Sequence, residues 1–307
     1  MDILQVAEIN DKRNDGICSR LTKNKLSETR KPKTMSESNV KHLVPTEEKY
    51  LDWSNSVEII QKAYRAKTFV IVIGSKGTGK TALVRHFAGR TKKPLHEVSF
   101  SLRTRESHLI GTRTMHDGTT GFAEGILVRS MRTGGIMYVD EINCADADML
   151  VRFDEAFDDR RQIVLKEDGG EVIRAKDDWF VIATVNPLTH AGTKELPPQL
   201  LSRFPVRINL GYPPIDVEKK IVLLKTGVET DDVDKAIQLA SKLRELASDD
   251  ELYYSPSIRE TIAFAKLLQQ GMTGKDAARV VFANVYYQYG TEEVEKVNDL
   301  LGSIFGY

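Results

Sequence analysis

A glycine-rich turn between an apolar run and a helix-forming stretch carries the clearest chemistry in the sequence. Residues 71–82 read IVIGSKGTGKTA and contain the spacing G-x-x-x-x-G-K-[ST]. Glycines let a backbone approach an anion closely, and the first turn of the following helix offers it free N–H groups. We therefore expect this loop to bind a nucleoside triphosphate, with the Lys80 ammonium on the β- and γ-phosphates and the Thr81 hydroxyl on Mg²⁺. The residues predicted to contact the nucleotide are Gly74, Ser75, Lys76, Gly77, Thr78, Gly79, Lys80, Thr81 and Ala82.

Two acidic residues, Asp140 and Glu141, directly follow the apolar run GIMYV, which has the composition of a buried parallel strand. Carboxylates have no packing reason to stand at the end of such a strand. We expect Asp140 to hold Mg²⁺ through water and Glu141 to orient and polarise the attacking water. A turn in which one acid only caps a helix is the alternative. Together with the phosphate-binding loop, these acids favour hydrolysis of the triphosphate over binding alone.

Two further polar residues follow later apolar runs. Asn186, in VIATVNP, is expected to hydrogen-bond the γ-phosphate or the attacking water; a turn asparagine before Pro187 is the alternative. Arg203, in LPPQLLSRFP, is either a surface charge or an arginine that reaches the γ-phosphate of a neighbouring subunit and neutralises charge in the transition state. Spacing alone leaves the role of Arg203 open.

These residues can act together only if a sheet brings them to one edge. Apolar runs predict five strands, at residues 68–73, 94–100, 135–140, 179–184 and 206–210. A segment with helical character at residues 57–66 leads into the first strand, and another at residues 80–89 follows the phosphate-binding loop. Strands that alternate with helices predict a doubly wound α/β sheet, whose ligands bind at the carboxyl ends of the strands. All the motifs above fall at those ends.

The character of the chain changes at GYPP, residues 211–214, because prolines interrupt the pattern. Apolar residues then recur at helical spacing over residues 215–226, 232–248, 257–270, 274–288 and 291–302. At the other end, the first residues are basic and lack apolar periodicity, which is typical of disorder. We predict three parts: a basic, disordered tail at residues 1–40, an α/β nucleotide-binding core at 41–211 and a small all-helical lid domain at 212–307.

The overall composition argues against several classes of protein. The 307 residues include 44 Lys+Arg and 44 Asp+Glu, so the formal net charge is zero and gives no long-range attraction to nucleic acid or anionic membrane. Two cysteines, Cys18 and Cys144, make neither a disulfide framework nor a zinc site. No apolar run approaches the ~20 residues that span a bilayer, and the first residues lack a signal-peptide pattern. We expect a cytoplasmic protein.

The motifs, taken in order, resemble those of a known family. The phosphate-binding loop, DEIN, ATVNP and LSRFP, followed by a helical domain, resemble an AAA+ ATPase, and more narrowly the MoxR family with its CbbQ, NorQ and GvpN relatives. The resemblance covers roughly residues 40–270. Residues 107–135 resemble the family's insertion in its second helix, and residues 160–184 resemble its hairpin before the sensor strand. Two alternating segments, 162–166 and 171–174, joined by a turn at Asp168-Gly169-Gly170, predict that hairpin from the residues as well.

The resemblance implies an assembly and an activity. It implies a ring, usually hexameric, that hydrolyses ATP bound with Mg²⁺ between subunits, with Arg203 completing a neighbour's site. It also implies the remodelling of a client complex together with a partner that has a von Willebrand factor A (VWA) domain. Arg259, in SPSIRE, is similar to the family's second sensor arginine, which contacts nucleotide within its own subunit or across the interface; a helix-surface arginine is the alternative. Cys144 and Ser202 depart from the family pattern and leave the subfamily open.

Two other functions stay open at this stage. A nucleic-acid motor or loader of the minichromosome maintenance type is favoured by the SRF tripeptide and the basic tail, and disfavoured by the zero net charge. Strong stimulation of ATPase activity by DNA would support it. A nucleotide-gated assembly protein, as in gas-vesicle formation, is the other alternative. Negligible turnover with ATP-dependent polymerisation would support that function.

Overall fold

The computed structural model describes residues 40–101, 104–116, 119–188 and 192–306. The predicted disordered tail, residues 1–40, therefore lies outside the described residues except for its last position, and so does Cys18. The strands within the described ranges are β1 (Val70–Ile73), β2 (Leu95–Ser99), β3 (Gly111–His116), β4 (Thr119–Glu124), β5 (Ile136–Asp140), β6 (Gln162–Leu165), β7 (Glu171–Arg174), β8 (Phe180–Val185) and β9 (Val206–Asn209).

The first helix precedes β1, and in the described residues after β9 the regular elements are all helical. They are α1 (Ser56–Arg65), α2 (Lys80–Thr91), α3 (Glu106–Leu109), α4 (Ile126–Thr133), α5 (Ala147–Phe157), α6 (Pro198–Ser202), α7 (Ile215–Thr226), α8 (Asp231–Ser248), α9 (Ile258–Gln269), α10 (Gly274–Ala278) and α11 (Thr291–Phe305). The segment with helical spacing at residues 274–288 is helical throughout, but its helix type changes along the chain. After α10 the chain forms a π turn at Arg279–Ala283 and a 3-10 turn at Asn284–Gln288.

The central sheet has five parallel strands in the described part of the chain, in the order β2-β5-β8-β1-β9. Every residue of β8 is buried, as is every residue of β1 and β5 except the last of each. Strands covered on both faces by helices read as continuous apolar runs, which is why their positions could be predicted. The predicted doubly wound α/β sheet is confirmed. Because β5 pairs with β8, and β8 with β1, the three strand ends that carry polar motifs are neighbours.

Two separate apolar cores stabilise the chain. One lies around the sheet, between Val57 and Leu210, and the other lies among the helices between Val222 and Leu301. The change from one core to the other falls at the proline-containing segment 211–214, which is consistent with the predicted division into core and lid. In the described ranges, no helix has the length and apolarity needed to cross a membrane.

Two antiparallel hairpins, β3–β4 and β6–β7, lie outside the central sheet. The second is the hairpin predicted from the sequence, and the first lies between α3 and α4, inside the predicted insertion. Arginines join the two hairpins. Arg113 on β3 donates from Nε to the carbonyl oxygen of Glu167 at 2.8 Å. Arg132 on α4 ion-pairs with both Glu124 on β4, at 2.6 Å, and Glu171 on β7, at 2.8 Å.

Candidate active site

The phosphate-binding loop connects β1 to α2 with a sharply turned backbone. Gly77 and Gly79 have φ angles of +74° and +98°, which side chains disfavour. A Cβ on Gly77 would also lie 2.1 Å from Cβ of Ser257, the residue that caps α9. The loop therefore packs directly against the first turn of a lid helix, and the absence of a side chain at position 77 permits that contact.

Lys80 is the first residue of α2, and its side chain folds back over the loop. Its Nζ donates to the carbonyl oxygens of Gly74 at 2.6 Å and Ser75 at 2.9 Å, and to Oδ1 of Asn186 at 2.9 Å. Burial lowers the pKa of Lys80 to about 8, against the opposing attraction of Asp140 and Glu141. A desolvated ammonium that remains protonated near neutral pH is well suited to bind a polyanion.

Gly74 and Ser75 act differently from the rest of the predicted loop. The other seven predicted loop residues, 76–82, line a cavity of ≈ 430 Å³, whereas Gly74 and Ser75 do not. A Cβ on Gly74 would lie 2.2 Å from the carbonyl oxygen of Leu210, so this glycine sits against the end of β9. The carbonyl oxygens of Gly74 and Ser75 hold the Lys80 ammonium in place, and their predicted nucleotide contacts stay a prediction.

A network of hydroxyl groups links the two residues predicted to hold a metal ion. Oγ1 of Thr81 lies 3.1 Å from the hydroxyl of Tyr138, which donates to Oδ1 of Asp140 at 2.7 Å. Thr184 donates to the same carboxylate oxygen at 2.6 Å. The donor set consists of hard oxygen atoms, which Mg²⁺ prefers, and Mg²⁺ commonly uses only one or two protein ligands beside substrate phosphates. Thr81 and Asp140 therefore fit the predicted ion.

Tyr138 is a site residue that sequence reasoning missed. It is 2% exposed and stands two residues before Asp140 on β5, so both side chains point to the same face of the strand. Burial raises the pKa of its phenol, which keeps the hydroxyl protonated and able to donate. The alternation of side chains along a strand is the signal that could have identified it.

Glu141 is held by its neighbours in an unusual backbone conformation. Its φ and ψ of 54° and 44° lie in the left-handed region, which is rare for a side chain of this kind and recurs at functional sites. Its N–H donates to Oγ1 of Thr184 at 3.1 Å, and its Oε1 accepts from Nδ2 of Asn186 at 2.8 Å. Asn186, 3% exposed, thus contacts both Glu141 and Lys80. Asn186 follows β8, which pairs with β5, and this pairing places its side chain beside Glu141.

The cavity extends from the phosphate-binding loop to an apolar end that the sequence did not reveal. Asp140, Glu141, Asn186 and Arg259 line it near the loop. Charged residues also line the cavity, from the segment before α1 (Glu48 and Lys49), from α2 (Arg85) and from the lid (Lys225). The apolar end consists of aromatic and apolar residues from the segment before α1 and from the lid: Tyr50, Leu51, Trp53, Ile221, Leu224, Ile258 and Ile262. An aromatic and apolar stretch directly before the first predicted helix, KYLDW at residues 49–53, was the available signal.

The two predicted arginines lie in different environments. Arg259, the second residue of α9, lines the same cavity as the phosphate-binding loop of its own chain. Arg203 follows α6, does not line the cavity, and has a side chain that is 30% exposed. Its Nε donates to Oδ1 of Asp154 at 3.0 Å, and its Nη1 lies 3.3 Å from Oδ1 of Asp158. Of these two predicted arginines, Arg259 is the one that lines the cavity of its own chain.

Two family models match the chain on either side of the proline segment. Residues 69–204 match the AAA domain (dynein-related subfamily), and residues 218–287 match the CbbQ/NirQ/NorQ C-terminal model. The denitrification regulatory protein NirQ of Pseudomonas aeruginosa is 31% identical over 229 residues, which are 75% of this chain and 87% of the relative. The chain belongs to the MoxR family of AAA+ ATPases.

Two other relatives agree with this membership, and one solved structure shares the fold. Protein NorQ of Paracoccus denitrificans is 31% identical over 258 residues, 84% of this chain and 94% of the relative. Protein CbbQ of Hydrogenophilus thermoluteolus is 28% identical over 205 residues, 67% of this chain and 76% of the relative. The crystal structure of NtrX from Brucella abortus in complex with ADP covers 84% of this chain and 64% of that chain with a TM-score of 0.50; at 15% identity this shows a shared fold alone.

Proposed function

We propose that this MoxR-family protein is an ATP-hydrolysing remodelling chaperone that assembles or activates a target protein complex. Asn186 carries the proposal, because it hydrogen-bonds both the Lys80 ammonium and the Glu141 carboxylate. One side chain thereby joins the group suited to phosphate binding to the group suited to water activation. A site that only bound nucleotide would not need a carboxylate held at that place.

Different residues bind the phosphates, hold the metal ion and activate the water. The N–H groups of the loop and Lys80 bind the phosphates, and Thr81 and Asp140 would hold Mg²⁺, which would neutralise phosphate charge. Glu141 orients and polarises the attacking water, while Asn186 donates to one of its carboxylate oxygens and the Cys144 thiol donates to the other at 3.9 Å. Arg259 binds the phosphates from the lid side of the same cavity.

The surface position of Arg203 supports a ring. Because Arg203 lies outside its own cavity, it can neutralise transition-state charge only in the site of a neighbouring subunit. Repetition of one such head-to-tail contact closes into a ring when the rotation permits it. We propose a hexamer, following the family resemblance, with ATP between subunits.

The partner is proposed from the family and from the relatives' names. Two of the relatives are called denitrification regulatory proteins, so a role in preparing another protein system for its activity is carried over to this chain as part of the proposal. A VWA-domain protein is the proposed partner, and a cytoplasmic location stays a prediction. The two hairpins are the proposed client-handling elements.

The test of hydrolysis is the Glu141→Gln substitution. We expect the variant to bind ATP with unchanged affinity and to lose about 10²–10⁴-fold in kcat, because an amide cannot polarise the water as a carboxylate does. Steady-state phosphate release and calorimetric titration with ATP measure the two quantities. Asp148→Asn, on the exposed face of α5, is the matched control and is expected to retain full turnover. Undiminished turnover of Glu141→Gln would remove Glu141 from this role.

The partner is identified with the same variant used as a trap. Glu141→Gln protein, held in ATP, is used to capture proteins from native lysate with and without nuclease, and these are identified by mass spectrometry. Recovery of a VWA-domain protein with another complex, independent of nuclease, would support the chaperone proposal. Nuclease-sensitive recovery of replication or transcription proteins would instead indicate a nucleic-acid motor.

A further inference from the structure

The side chain of Arg203 and that of its neighbour Phe204 both contact helix α5. The next residue, Phe204, is fully buried, and its ring packs edge-on against Phe157 of α5 at a centroid distance of 5.5 Å. The Arg203 side chain returns to the same helix and donates from Nε to Asp154 at 3.0 Å. Helix α5 therefore determines both the position of residues 203 and 204 and the direction of the Arg203 side chain.

The two carboxylates near Arg203 hold it unequally. Asp154 lies within α5 and accepts the short Nε hydrogen bond. Asp158 follows the helix and lies farther from Arg203, at 3.3 Å, and its oxygens also accept hydrogen bonds from Nε of Arg160 and from the N–H of Asp159. Asp154 is therefore the main anchor, and Asp158 is shared.

The Arg203 guanidinium can donate to a further acceptor while it is bound to the two carboxylates. A guanidinium has five N–H donors in a planar fork, and the two carboxylates engage Nε and Nη1 of Arg203. Among the residues that the structure describes, none accepts a hydrogen bond from Nη2. Because the side chain is 30% exposed, these remaining donors are available at the surface to a phosphate presented by another molecule.

The ion pair contributes little to the stability of the fold. The side chains of Arg203 and Asp154 are 30% and 37% exposed, and pairs with such exposure have small effects on the free energy of unfolding because water and salt screen them. The main effect of this ion pair is on the orientation of the Arg203 side chain. A long, flexible arginine that is already held in one direction loses less conformational freedom when it meets a phosphate.

We propose that Asp154 is a positioning residue, which holds the Arg203 guanidinium outward for the nucleotide of a neighbouring subunit. The inference rests on the proposed function, in which Arg203 acts across a subunit interface. Asp154 touches no nucleotide itself. Helix α5 begins six residues after Glu141. In each subunit, α5 thus lies between the water-activating Glu141 and Arg203, the arginine that acts in the site of the neighbouring subunit.

The test compares Asp154→Ala with Asp159→Ala in the full-length chain. Asp159 is the exposed neighbour of Asp158, so its substitution removes a nearby acidic charge and leaves the Asp154 hydrogen bond intact. We expect Asp154→Ala to lower kcat about tenfold with unchanged ATP affinity and melting temperature, and Asp154→Asn, which keeps an acceptor oxygen, to lose less. Asp159→Ala is expected to stay within twofold of the parent protein. Equal kcat for Asp154→Ala and Asp159→Ala, or a higher kcat for Asp154→Ala, would overturn the inference.

A double-substitution cycle shows whether Asp154 acts through Arg203. In an Arg203→Ala background, Asp154→Ala is expected to have no further effect on kcat; a full additional loss would mean that Asp154 acts elsewhere. Mixing Asp154→Ala with Glu141→Gln subunits is expected to restore turnover, because the latter supply a correctly held arginine to the former. If Arg203→Ala alone retains full turnover, the trans role of Arg203 fails and this inference fails with it. If Arg203→Ala is inactive while Asp154→Ala is fully active, only the role of Asp154 is refuted.

Discussion

The two ends of the cavity are constructed on different principles. At the phosphate end, Lys80, Asn186 and Glu141 form successive hydrogen bonds of 2.9 and 2.8 Å from positions fixed by the loop and by the ends of β8 and β5. At the apolar end, the lining side chains come from two segments that belong to no sheet, the stretch before α1 and the lid helices. The sheet thus determines the geometry of the phosphate end, whereas the geometry of the apolar end depends on how the lid packs on the core.

Among substitutions in the cavity, Lys80→Ala at the phosphate end is expected to reduce ATP affinity most. Loss of the buried ammonium removes the main positive charge of the phosphate end and leaves its hydrogen-bond acceptors unpaired. We expect ATP affinity to fall on the order of 10²–10³-fold in calorimetric titrations. Arg90→Ala, on an exposed position of the same helix, is the matched control. Unchanged affinity of Lys80→Ala would show that the phosphates are bound elsewhere.

The pH dependence of binding tests the same end without truncating a side chain. The pKa of Lys80 is lowered to about 8 by burial, so the free protein loses this charge as the pH rises through 8. The protonated form binds the phosphates. Deprotonation of Lys80 should therefore not change ATP affinity below pH 7. Above pH 8 it should lower ATP affinity by up to about tenfold per pH unit. Lys80→Arg, whose charge persists, should remove this slope in titrations between pH 7 and 9.5; a slope that remains belongs to another group.

Arg259→Ala tests whether the lid contributes charge to the phosphate end. We expect ATP to bind about tenfold more weakly to the isolated subunit, because a charge-assisted contact to phosphate is lost. ADP should be less affected than ATP if Arg259 contacts the terminal phosphate. Fluorescent nucleotide titration measures both, with Arg279→Ala on the lid surface as the control. An effect that appears only in assembled rings would place the Arg259 contact in a neighbouring site.

The smallest effect is expected at the apolar end. Leu224 and Leu223 are adjacent on α7 and 37% and 38% exposed, but of these two only Leu224 lines the nucleotide cavity. Leu224→Ala should weaken ATP binding about threefold to fivefold and leave the binding of inorganic triphosphate unchanged, because it removes apolar contact with the nucleoside alone. Leu223→Ala should change neither. An equal loss for inorganic triphosphate would contradict the division of the cavity into two ends.

The difference between the two ends also explains what the sequence could predict. A phosphate-binding loop is encoded by consecutive residues, and Asp140 and Glu141 stand out because acids rarely end a buried strand. Leu224 looks like any other apolar residue of a lid helix, since its place in the cavity depends on packing against a segment far away in the chain. Arg203 was visible in the sequence, but its partner Asp154 was not, because the pairing of α5 with α6 is a tertiary contact.

The arginine links between the two hairpins have a mechanical consequence. A free two-stranded ribbon bends easily, because its strands are paired along one side only. Arg113 and Arg132 tie β3–β4 to β6–β7, so a load on either ribbon is shared by both and transmitted to α4, on which Arg132 is anchored. Because α4 also packs against β2 and β5, both hairpins are connected through one helix to the central sheet.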